Sequence, residues 1–137
     1  MAMKKLTCLL ILVLSLSAFA GGEKLIGTWK SNKAGTLAYL KTHTHLTGQQ
    51  LDVVGLALGK MSFVFDKTNM VMQTDDWKQV RPYKFVSKTA NSVTIESKDP
   101  KTQKTEQSVF EFYGDHFWVP DDRIPGYKER FDKVVSK

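Results

Sequence analysis

The chain holds a single cysteine, Cys8. It falls in an apolar run near the start, so residues 21–137 contain none. That excludes disulfide staples and a thiol nucleophile from this segment, whose stability must rest on packing. Histidines number three. There is no G-x-S-x-G elbow, no phosphate-cradling glycine loop and no dinucleotide fingerprint, so the corresponding hydrolytic and nucleotide chemistries lack their motifs. Beyond residues 6–16 no apolar run approaches the roughly 20 residues that a spanning helix needs. These absences lean away from an enzyme, and no cofactor is implied.

What the first residues do contain is a leader pattern. Lys4 and Lys5 precede the apolar run from Leu6 to Leu16, and Ala18-Phe19-Ala20 supplies the small residues of a cleavage site. The expectation is a signal peptide over 1–20 cut after Ala20, leaving one domain over 21–137 without a membrane span. An exported domain of this size with no disulfide suits the bacterial periplasm or secretion. The formal net charge is +6, with Lys4 and Lys5 in the leader and the other lysines scattered, as on a solvated surface. Export and scatter together argue against nucleic acid as a partner.

Leu25 to Ser31 reads as a first strand. The period then becomes helical, predicting two short helices at about 35–43 and 48–58. The second has a capping box in Thr47 and Gln50, and its apolar stripe of Leu51, Val54 and Leu58 stops at Gly59. From Met61 onward, strand-like segments recur at roughly 8–12-residue spacing, separated by polar turns. They cover 61–66, 70–74, 77–88, 92–98, 105–113, 116–119 and 127–134. Pro82, inside the third of these, marks a bulge or an edge. The reading is mainly β: an antiparallel up-and-down barrel of about eight strands, with two short helices inserted after the first.

Gly27-x-Trp29 on the first strand, followed by an antiparallel meander, resembles the lipocalin and fatty-acid-binding superfamily, the calycins. The resemblance implies that the glycine and tryptophan close one end of the barrel, and that a basic residue from near the chain end packs over the indole. Arg130 is the first candidate for that residue and Lys133 the second. The helical pair departs from the family, which usually has an open loop after the first strand and a helix after the barrel.

Two patterns invite a metal reading. His43-x-His45 sits at a helix end, where imidazoles also suit the dipole; His116 is the only other histidine. Met70-x-Met72 shares a strand face, and thioethers suit Cu(I), although adaptable core packing explains them as well. Neither is assigned a metal. Aromatic residues on alternating positions are the larger feature. Phe63, Phe65, Phe85, Phe110 and Phe112 are expected to face inward, lining a cavity or filling a core, with Tyr39, Leu40, Met70 and Met72 at its mouth. The expected function is non-catalytic binding of a small apolar or amphipathic ligand. The alternative is a periplasmic protein-interaction module, such as an enzyme inhibitor or immunity-type protein. It would have a packed barrel and act through Asp121, Asp122 and Arg123 in a loop stiffened by Pro120 and Pro125.

Overall fold

A computed structural model describes residues 22–135. The expected leader and its expected cleavage point lie outside the described residues. A 3₁₀ turn at Gly22–Leu25 leads into eight strands: β1 Gly27–Ser31, β2 Ser62–Phe65, β3 Asn69–Gln73, β4 Lys78–Lys88, β5 Ser92–Lys98, β6 Thr105–Tyr113, β7 His116–Pro120 and β8 Lys128–Lys133. Helices α1 (Lys33–His43) and α2 (Gly48–Gly55) lie between β1 and β2. Each strand pairs antiparallel with the next, and β8 pairs with β1, so the sheet closes into a barrel. Every strand has a neighbour on each side, while residues 105–110 of β6 pair with β5 alone and β4 changes partner partway along its length.

The strands follow from two-residue alternation. On β5 the residues Val93, Ile95 and Ser97 are buried while their neighbours are not. On β8 Phe131 is buried between half-buried Arg130 and Asp132. The inward sets meet as a cluster of Trp29, Phe63, Phe65, Phe110, Phe117 and Phe131 with Leu25, Met70, Val93 and Ile95. Phe63 lies 5.8 Å from Phe110 and 4.8 Å from Phe131, and Phe110 lies 5.0 Å from Phe117, mostly edge to face. That is the spacing of rings in direct contact. Aromatic side chains therefore fill the barrel axis.

The barrel has two ends. The β2–β3, β4–β5 and β6–β7 turns share one with the 3₁₀ turn, where Leu25 is wholly buried. The helices, the β3–β4 and β5–β6 turns and the β7–β8 loop occupy the other, called the mouth.

Local chemistry explains the helices. Asn32 caps α1, its Oδ1 accepting from the Gly35 N–H at 2.8 Å. The helix starts earlier than its apolar spacing suggests because the cap, not the stripe, sets its first turn. The capping box of α2 forms in both directions: Gln50 N–H donates to Thr47 Oγ1, and Thr47 N–H donates to Gln50 Oε1. This helix ends at Gly55 rather than at residue 58. Leu56 and Ala57 N–H donate three residues back, to Val53 and Val54, which tightens the chain into a turn. Pro82 is the last residue of the β3–β4 ladder, and the β4–β5 ladder begins at Tyr83. The missing N–H thus falls where the strand changes partner. The irregularity in β4 lies between Phe85 and Ser87.

Candidate functional site

At the closed end, Trp29 is 2 % exposed and its indole N–H donates to the Leu25 carbonyl at 2.9 Å. Phe117 and Phe112 contact the ring at 4.6 and 5.9 Å. Gly27 has φ +135°, a conformation that glycine tolerates and other residues avoid. The cation over the indole is Lys133, whose Nζ is 5.7 Å from the ring. Arg130, the first candidate, does not occupy that place. Strand alternation is the reason. Lys133 is paired opposite Trp29, whereas Arg130 is one residue out of phase with inward Phe131. Its Nε donates to Asp132 Oδ1 at 2.7 Å, and its backbone ties β8 to α1 through Thr36 Oγ1 and the Asn32 N–H.

Of the residues expected inside, Phe63, Phe65 and Phe110 are in the buried cluster, while Phe85 and Phe112 pack against it half-buried; of the two methionines expected at the mouth, Met70 is in the buried cluster and Met72 packs against it. Leu40 is wholly buried but lies outside this cluster. Tyr39 is on the exterior. Its ring stacks on His43 at 3.9 Å and meets Trp118 at 4.8 Å, and Trp118 faces out because Phe117 beside it faces in. Tyr39 and Leu40 are therefore not brought together with Met70 and Met72. Among the described residues no cluster of histidine and carboxylate side chains is arranged to hold a metal. His43 Nδ1 lies near the Tyr39 carbonyl and the Thr42 hydroxyl, as suits a helix end.

The mouth holds a cleft of about 560 Å³. Lys60 and Met61 wall one side, the β3–β4 turn with Asp75, Asp76 and half-exposed Trp77 another, and Glu129 a third. Glu129 shares the inward face of β8 with Phe131. Its Oε2 accepts from the Ser31 hydroxyl at 2.6 Å, and Ser31 Oγ accepts from the Gly59 N–H at 2.9 Å. Burial pushes the Glu129 carboxyl above the usual carboxylate range, against the Ser31 hydrogen bond, which pulls it down. Nearby Tyr127 is pushed up to about 12, by burial first and then by the charges of Glu129 and Asp121.

Residue patterning missed two inward polar groups, Glu129 and Arg81. Arg81 is 9 % exposed and reaches Gln79 at 2.7 Å, Glu106 at 2.8 Å and Asp99 at 3.5 Å. Both share strand parity with inward aromatics, the signal that could have found them. The β7–β8 loop is held by its own contacts. Arg123 pairs with Asp121 through Nε at 3.0 Å and Nη2 at 2.6 Å, keeping the Asp121 carboxyl below its usual range. No family model matches the chain, and no curated protein matches it.

Proposed function

We propose that this is a lipocalin-like, non-catalytic binding protein that takes a small amphipathic molecule at the mouth of its barrel. The carrying observation is the shielded Glu129 carboxyl facing a cleft that also presents Met61 and Trp77. A ligand with an apolar body and a polar end matches that mixture. A purely apolar ligand would leave the carboxyl with the Ser31 hydroxyl as its one partner among the described residues in a drier site, which is costly. The cleft volume falls within the roughly 300–1,000 Å³ of small-molecule sites. Since aromatic rings fill the axis, the reading places the ligand above them. The leader pattern supports a periplasmic or secreted location.

The test is titration of the purified protein with N-phenyl-1-naphthylamine, alongside mass spectrometry of solvent extracts from natively purified material. Saturable probe uptake that weakens in Trp77→Ala, with a bound amphiphile in the extract, is expected. No uptake and no extractable compound would overturn the proposal.

A packed axis also favours the second reading, an interaction module acting through the β7–β8 loop. There Arg123 is 88 % exposed while its partner Asp121 is largely covered, so a stiff, charged tip is presented. On that reading, substitution of Asp121, Asp122 or Arg123 abolishes a pull-down complex without lowering the melting temperature.

A further inference from the structure

The barrel does not use every aromatic side chain for its core. On the outer face of β7, at the flank covered by α1, a run of rings leads from His43 through Tyr39 and Trp118 to His116 and Tyr113. Successive centroids are 3.9, 4.8, 6.1 and 6.3 Å apart. The helix accounts for only one end of it, where Tyr39 rests on Trp118. The run continues past that contact to Tyr113, which is 57 % exposed. Tyr39, Trp118, His116, Tyr113 and Lys128 border an open-sided recess of about 500 Å³.

We propose that this recess is a second binding site, one for a neutral oligosaccharide. Three features of its chemistry select that class. Aromatic faces carry negative quadrupole density, which attracts the weakly positive C–H groups on one face of a pyranose ring. Lys128 Nζ lies 2.8 Å from Glu111 Oε1, with both side chains less than a third exposed, so the polar wall is charge-compensated before any ligand arrives. A charged ligand must compete with that pair, whereas a neutral hydroxyl can accept from the Lys128 ammonium, which lines the recess, without displacing Glu111. Lastly, an acyl chain would strip water from the Lys128–Glu111 pair and from His116 without offering a hydrogen bond in return, which carries a desolvation cost. A sugar supplies both an apolar face and hydroxyls, which offset that cost.

The experiment uses the intact protein and three named probes: cellohexaose, maltohexaose and chitohexaose. Binding is followed by tryptophan emission and calorimetry. At least one probe is expected to bind saturably with a Kd in the millimolar range or tighter. Trp118→Ala should weaken it by about tenfold or more, and the exposed Tyr113→Ala, which leaves the fold intact, by several-fold. Trp77→Ala, at the mouth, should bind sugar as the parent does, which separates this site from the one proposed above. Three results overturn the proposal. One is no saturable binding of any probe up to about 10 mM. Another is binding that neither Tyr113→Ala nor Trp118→Ala weakens. The third is uptake of N-phenyl-1-naphthylamine that Tyr113→Ala diminishes when no sugar binds.

Discussion

Trp29 illustrates how a single side chain couples both termini of the described chain. Its ring is enclosed by Phe112 and Phe117, its N–H is spent on Leu25, and Lys133 covers one face. Trp29→Ala should lower unfolding free energy by about 3–5 kcal/mol in denaturant titrations, the range for truncating a buried large aromatic. Lys133→Met should cost about 0.5–1 kcal/mol and alter the near-ultraviolet dichroism of the indole. Arg130→Met should leave that dichroic signal unchanged, because its guanidinium faces Asp132 instead. The G-x-W pattern singled out Trp29, which is buried in the aromatic cluster. It was not enough to choose between two cations three residues apart, since that depends on which of them shares strand parity with Phe131. Glu129 gives a pH prediction of definite sign. Burial raises its folded-state pKa, so the folded protein is relatively favoured while the carboxyl is protonated, and that advantage is lost as pH rises through the raised value. Glu129→Gln retains an acceptor for Ser31 and carries no charge. Stability of the parent relative to this variant should therefore fall as pH climbs from the usual carboxylate range into the range just above it; parallel pH curves would contradict the assignment.

At the scale of elements, the turns and caps decide where order begins. Thr47→Ala removes the α2 cap and should cost about 1 kcal/mol by thermal melting. Gly126→Ala should cost more than that. Gly126 has φ +79°, and a β-carbon there would run into the His43 carbonyl at the end of α1. The β7–β8 loop and α1 are locked together at that point, so the variant should also raise amide exchange in both. Strand boundaries were legible because Val93-x-Ile95 and Phe110-x-Phe112 carry a two-residue period bounded by polar turns. Pro82 was legible as an irregularity but not as the residue where β4 exchanges partners, because pairing is a property of two segments. Tyr39 was misplaced for a related reason. Helical spacing puts Tyr39 and Leu40 on neighbouring faces, but it does not say which face meets the barrel and from which side.

At the scale of the molecule, two packing regions differ in kind. The aromatic cluster sits inside a closed ladder, whereas Leu40, Leu51 and Leu58 are buried outside that cluster, with the helix pair. Hydrogen exchange should distinguish them: amides of α1 and α2 should open at lower free energy than those of β5 and β6, which pair along their length. Equal protection would mean that cap and barrel unfold as one unit. The barrel itself was legible from strand count and spacing; its filled axis was not, because alternation tells which residues face inward but not whether their volumes leave space. Closure has one more consequence, and it concerns time. The hydrogen bond from Val134 N–H to the Thr28 carbonyl and the β1–β8 ladder join segments about a hundred residues apart, one made before the other seven strands and the other after them. While the chain is being made, Trp29 waits without Lys133, and β1 keeps one side unpaired. The final circle of hydrogen bonds can form only after β8 is complete, so the growing chain passes through every shorter length with its sheet still open.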